Sequence, residues 1–224
     1  MNAQWVEASN DDSTWWSAFQ GNWWAMFWFA LQEKSMPQTN DFASICQLGF
    51  EVSGGLTTGD FYNIHVEDLE QGEGLRLLTS GGIDPDISFW GDKKHLQRFN
   101  KRRYRFPRIV EGNYDSGLKS KLLRSKRPKL IIANLTKEME VFLDEEGVYQ
   151  AATGTQTIYH RHDDVKLLRK LKNILHSAYG NLLFQAILSY NAMHSNISVE
   201  KRFLEQFPIP KNYDTSPLKS SLEL

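Results

Sequence analysis

Fourteen of the chain's 26 lysines and arginines stand between Lys93 and Lys129, and the chemistry they offer is the attraction of polyanions. They are Lys93, Lys94, Arg98, Lys101, Arg102, Arg103, Arg105, Arg108, Lys119, Lys121, Arg124, Lys126, Arg127 and Lys129, and within that span only Glu111 and Asp115 oppose them. A chain of formal net charge −1 therefore concentrates a surplus of about twelve positive charges in a sixth of its length. A duplex backbone is the commonest polyanion such a field meets. A solvated basic loop would carry the same charge, but Phe99, Tyr104, Phe106, Ile109 and Tyr114 interleave with it. A disordered tail has no reason to carry rings, so the band reads as a folded surface.

Three other groupings have the residue types for chemistry. Asp86 and the Asp92-Lys93-Lys94 triplet echo the two carboxylates and lysine of magnesium-dependent nucleases, in which the acids hold the metal and the lysine adjoins the attacking water. Only five residues separate the two halves, which leaves little room for a hairpin between them; a Gly/Pro/Asp turn explains the stretch with less. Gly54, Gly55 and Gly59 flank Thr57, Thr58 and Asp60 in a loop that permits close approach. It has neither a P-loop lysine nor the three-glycine dinucleotide fingerprint, so no nucleotide site is expected there. His160 and His162 would share a strand face as metal ligands, but a strand exit followed by a helix cap accounts for His160 to Asp164 without one.

The elements that must position these groups follow from pattern. The chain of 224 residues is long enough for one sizeable core, and its single Cys46 rules out an internal disulfide and a cysteine zinc cage, as in a reducing cytoplasm. The first residues lack the basic and apolar regions of a signal peptide. Between 15 and 31, Trp15, Phe19, Trp23, Phe27 and Leu31 recur every four residues with Trp16, Trp24 and Trp28 beside them. This is an amphipathic helix capped by Asp12 or Ser13, too short and too polar to span a membrane. Its aromatic face covers the protein's own core, or docks on a partner through Trp15, Trp16, Trp23, Trp24 and Trp28.

From 42 to 66 the pattern predicts a strand, a polar loop and a second strand, and Gly72 and Gly74 mark a turn. Residues 92–109 predict a short helix that becomes extended before Pro107, with Arg103 and Arg105 on one strand face. A second basic group, 118–129, leads into the apolar strand Leu130–Ala133. A helical hairpin is predicted over 163–193: Val165, Leu168, Leu171, Leu175 and Ala178 share the first arm's face, Asp163 caps it and Gly180 ends it. Residues 211–224 read as a loose end.

The run from Arg127 to Tyr159 resembles the TaqI-like C-terminal specificity domain, the target-recognition module of adenine-specific DNA methyltransferases and fused restriction–modification enzymes. Pro128-Lys129, then Leu143-Asp144-Glu145-Glu146-Gly147, then Ala152-Thr153-Gly154-Thr155 before Ile158-Tyr159, stand in that family's order. GLTTGD (55–60) is similar to its Gly-x-x-Thr-Gly-Asp loop, Arg103-Tyr104 with Pro107-Arg108 to its middle, and FLEQFPIP (203–210) to its closing Leu-Pro-Ile-Pro signature. The resemblance spans about residues 42–210. It lacks the family's catalytic half: there is no Asn-Pro-Pro-Tyr/Phe tetrapeptide and no glycine-rich strand–helix motif for S-adenosylmethionine.

The expected fold is a mixed α/β domain over 41–210, preceded by the Trp-rich segment 1–40. The resemblance implies sequence-specific recognition of duplex DNA for a partner adenine methyltransferase, in a bacterial or archaeal cytoplasm and within a restriction or phage-defence system. The chain itself would transfer no methyl group and bind no cofactor or metal. S-adenosylmethionine would sit on the partner, which flips the target adenine, and a second recognition module could join them. The expected base-reading groups are Thr57, Thr58, Gly59 and Asp60; Arg98, Lys101, Arg102, Arg103, Arg105 and Arg108; and Thr153, Thr155 and Gln156. Lys119, Lys121, Arg124, Lys126 and Arg127 would hold phosphates. Two rival readings are a nuclease built on Asp86, Asp92 and Lys94, and an interaction or decoy protein that occupies a methyltransferase through the Trp-rich helix.

Overall fold

An uninterrupted apolar run of strand length belongs in the middle of a sheet, where both faces are covered. Leu130 to Ala133 obeys this, and all of Lys129 to Ala133 is buried. The computed structural model describes residues 42–110, 112–178, 180–181, 183–184 and 197–210. Backbone contacts divide the chain into units 1–42 and 43–224. The predicted Trp-rich helix, most of the second arm of the hairpin and the tail lie outside the described residues.

The principal strands are β1 (Phe50–Gly54), β2 (Val66–Asp68), β3 (Leu75–Leu78), β4 (Gln97–Phe99), β5 (Arg102–Tyr104), β6 (Pro107–Ile109), β7 (Lys129–Ala133), β8 (Val141–Asp144), β9 (Tyr149–Ala151) and β10 (Thr155–His160). The helices are α1 (Ser116–Arg124), α2 (Val165–His176) and α3 (Lys201–Gln206). The fold is mixed α/β, as expected. One antiparallel sheet has the order β8-β7-β10-β1, and a second has the order β9-β3-β6-β2, in which only β9 and β3 run parallel. The turn Ala152–Gly154 carries the chain from one sheet to the other, between β9 and β10. Shorter pairs brace the rim, among them Phe42–Ser44 with Pro208–Pro210, the segment of the Leu-Pro-Ile-Pro resemblance.

Helix α2 packs on β7, β8 and β10 through Leu168, Leu171, Ile174 and Leu175, all buried. Its cap is Asp164, not Asp163: the Asp164 carboxylate accepts from the backbone N–H of Lys166 and Leu167. Asp163 has φ 54°, whereas an N-cap needs extended backbone, so the helix starts one residue later than the sequence predicts. Of the hairpin's second arm, Leu183 and Phe184 are helical and buried, and the Asn181 side-chain oxygen accepts from Met139 N at 2.8 Å. Among the described residues no helix is long and apolar enough to cross a membrane.

The Pro-Lys and Asp-Glu-x-Gly segments meet in the core. Lys129 on β7 and Asp144 on β8 face each other in register and form an ion pair whose side chains are 0% and 1% exposed. The Lys129 ammonium also donates to Ser125 O at 2.6 Å, just past α1. The Asp144 carboxylate accepts from Val148 N and Tyr149 N, and so closes the turn into β9. Burial pushes the Lys129 pKa down, against the pull of Asp144. Gly147, at φ 66°, completes the turn; a Cβ there would lie 2.0 Å from Lys126 O. These two motif segments are thus joined by a buried charge pair, which welds α1, β7, β8 and β9 together.

Candidate nucleic-acid interface

The helix predicted at the start of 92–109 does not form. Gln97 and Phe99 are buried while Arg98 between them is exposed, the two-residue period of a strand. β4 pairs antiparallel with β5 in the register Gln97↔Tyr104, Arg98↔Arg103, Phe99↔Arg102. Only Asn100 and Lys101 remain for the turn, both with positive φ (46° and 64°), the signature of a type I′ hairpin. Asn tolerates that region; Lys does so at a cost where glycine is usual. The sequence hides the turn because Asn-Lys stands where Asn-Gly would announce it.

The result is a two-stranded basic ribbon. Arg98 and Arg103 lie directly opposite on one face, a like-charge pair that weakens the ribbon by roughly 0.2–1 kcal/mol. Lys101 occupies the tip, and Arg102 the last rung. All four are exposed, and none has an ion-pair partner among the described residues. The inner face holds the ribbon down: Phe99 and Tyr104 pack with Leu56, Ile64, Leu77, Ile109, Tyr114 and Leu118. Gln97 ties its root to the Thr79 segment by accepting from Thr79 N (3.1 Å) and Thr79 Oγ1 (2.7 Å).

Three stretches far apart in sequence converge at that root. Arg98, Leu96 and Asn100 line one cleft of about 270 Å³ with Thr79, Ser80, Gly81 and Thr153. Thr153 Oγ1 donates to Leu56 O at 3.1 Å, which joins the β9–β10 turn to the 55–60 loop. In that loop the Asp60 carboxylate accepts from Thr57 N (2.7 Å) and Thr57 Oγ1 (2.8 Å) and pairs with Lys121 of α1 (2.8 Å). Burial pushes the Asp60 carboxyl up, but Lys121 and the Thr57 donors outweigh it and leave it below the usual carboxylate range. Thr57, Thr58 and Gly59 remain exposed beside this brace.

The rest of the expected site divides. Thr155 and Gln156 are buried in β10; Thr155 Oγ1 donates to Ala152 O at 2.5 Å and so serves the turn, whereas the buried Gln156 Oε1 has no hydrogen-bond partner among the described residues. Arg108 is buried in β6, donates to Leu69 O, Glu70 O and Gly74 O, and lies over the Trp90 ring. Arg105 falls past the end of β5, so it does not share a strand face with Arg103; it donates to Gly91 O and covers Phe106. Arg124 pairs with Glu51 and Arg127 with Asp163, both stacking on Tyr159. Lys119 and Lys126 are exposed without an ion pair among the described residues. Lys93 and Lys94 likewise are exposed without an ion pair among the described residues, so the band that looks continuous in sequence leaves eight exposed cations uncommitted, four of them gathered on the ribbon.

The residues of the nuclease reading have separate partners. Asp86, at φ 65° in the turn after Asp84, pairs with Lys172 and His176 of α2, and chiefly the Lys172 hydrogen bond holds its carboxyl below the usual range. Asp92 instead accepts from Lys94 N at 2.6 Å and adjoins His95. His160 is buried with its ring 5.7 Å from that of His162, and its Nδ1 accepts from Asp164 N at 3.4 Å. Among the described residues no group of three His, Cys, Asp or Glu could hold a metal ion. The tryptophans expected to bind a partner, Trp15, Trp16, Trp23, Trp24 and Trp28, lie outside the described residues. No protein-family model matches the chain, and no curated protein matches it significantly.

Proposed function

We propose that this chain binds duplex DNA through the β4–β5 ribbon and the turns at its root, as the recognition module of a partner adenine methyltransferase that carries S-adenosylmethionine. One observation carries the DNA-binding part: a two-stranded ribbon with four exposed cations at Arg98, Lys101, Arg102 and Arg103. A major groove admits a two-stranded ribbon, and its flanking phosphates reward each cation by counterion release. The opposed arginine pair costs the free fold stability, and an anionic ligand beside it would relieve that repulsion. The methyltransferase partner rests on the ordered motif resemblance, which the absence of a catalytic tetrapeptide in this sequence complements. Lys119 and Lys126, exposed and without an ion pair among the described residues, would extend the phosphate track beside α1.

The experiment is a salt titration of binding to a fluorescent duplex of about two helical turns. Lys101→Ala/Arg102→Ala/Arg103→Ala should weaken binding and flatten the plot of log K against log salt by about 2.7, at 0.9 per lost contact. Wild-type affinity and slope in that variant would remove the ribbon from the interface. For the partner, affinity capture from the native host should recover a methyltransferase that has the catalytic tetrapeptide but no recognition domain of its own.

A further inference from the structure

The cleft at the root of the ribbon sets a donor-only guanidinium, Arg98, and an acceptor-only hydroxyl, Thr153, in one lining, a pair that suits one kind of base pair, given the DNA-binding reading above. Its cation is Arg98, exposed and without a salt-bridge partner among the described residues; its five N–H groups can only donate. No carboxylate lines the cleft. Two threonine hydroxyls line it, each with its only proton already used, and beside them stand the Ser80 hydroxyl and the Asn100 amide, which can both donate and accept. Thr153 Oγ1 donates to Leu56 O, and Thr79 Oγ1 to Gln97 Oε1. Both oxygens are left able only to accept. Thr153 is the more exposed of the two, at the tip of the turn between the sheets. The floor at Gly81 is open, since a Cβ there would meet nothing within 4 Å, and Leu96 offers an apolar wall that is 43% exposed.

In the major groove, G·C presents two acceptors on guanine, O6 and N7, followed by one donor on cytosine, the N4 amine. That order complements a guanidinium beside a hydroxyl oxygen whose proton points elsewhere. A·T reverses the central groups, with the adenine N6 donor facing a group that can only donate. We propose that this cleft reads one G·C pair, with Arg98 on the guanine edge and Thr153 Oγ1 accepting from the cytosine amine. Lys101, Arg102 and Arg103 would then hold phosphates and carry no sequence information.

The test is selection of bound duplexes from a randomised library by the full chain, with Arg98→Ala, Thr153→Val and Lys101→Ala alongside. Wild type should enrich a motif containing a G·C position that Arg98→Ala alone relaxes, with discrimination there falling by about 5- to 150-fold, the worth of one bidentate contact. Thr153→Val should relax the same position. Because it also leaves Leu56 O without a donor, Arg98→Ala, which breaks no contact in the fold, decides the matter. Lys101→Ala should weaken all sequences alike and leave the motif unchanged. Persistent G·C preference in Arg98→Ala, a uniform loss over all sequences, or a wild type that binds without preference would each overturn the cleft assignment while leaving duplex binding intact. Absence of duplex binding by the wild type would overturn both readings.

Discussion

Replacing Lys101 by glycine should make the protein more stable and a weaker DNA binder at once. Lys101 sits at φ 64° in the second position of a two-residue turn. A side chain in that region costs about 1–2 kcal/mol, which glycine avoids. Glycine in turn adds unfolded-chain entropy worth roughly 0.5–1 kcal/mol. The difference leaves a gain of about 0.5–1 kcal/mol, aided slightly by removing one of four neighbouring cations. On the DNA side, one lost phosphate contact should reduce the magnitude of the salt slope by about 0.9. At 0.1 M salt that contact is worth about eightfold in affinity relative to 1 M, because ten to the power 0.9 is about eight. Urea unfolding gives the first quantity, and fluorescence anisotropy with a duplex at several salt concentrations the second. A destabilised Lys101→Gly would refute the strained-turn reasoning. A stabilised variant with unaltered salt dependence would show that the tip faces away from the DNA.

Lys129→Met should cost about 3–5 kcal/mol in urea unfolding, because it strands the Asp144 carboxylate in a dry site, and Lys129→Met/Asp144→Leu should recover much of that. A loss under about 1 kcal/mol would mean that the site is wet. Arg108→Lys forfeits the fork that spans Leu69 O, Glu70 O and Gly74 O, so stability should fall by roughly 1–3 kcal/mol while the salt slope of DNA binding stays unchanged. A slope shifted by a full unit would return Arg108 to the DNA interface. Stability should also decline on acidification. Burial pushes both His176 and His160 below the ordinary imidazole value of about 6.5, so the unfolded chain takes up protons first. Their contribution is complete above about pH 6.5 and is lost as pH falls through the lower folded values. His176 Nε2 accepts from Val141 N, with Asp86 and Lys172 opposite. Thermal unfolding of His176→Gln, which keeps an acceptor, should show a flatter decline between pH 7.5 and 5.5; an unchanged curve would discharge His176 from that role.

Much of the frame was legible in the sequence because it depends on local period and composition. The Leu130–Ala133 run declared a buried strand, the spacing of Leu168, Leu171 and Leu175 declared the face of α2, and Gly72 and Gly74 declared a turn. The concentration of cations was equally plain. What the sequence could not determine is which cations stay free. Arg108, Arg124, Arg127 and Lys121 find carbonyls or carboxylates brought from 33 to 73 residues away, and Lys129 an aspartate 15 residues on. Pairing of that range is decided by sheet register, and no local pattern records it. The ribbon likewise emerges only because Phe99 and Tyr104 have a core to cover, which overrides the helical reading at the start of 92–109. The sequence by itself determined a mixed α/β chain with its cations concentrated in one stretch; tertiary packing decided that four of them stand exposed on one hairpin, with Thr153 at its root, while six others are held by carbonyls and carboxylates of distant segments.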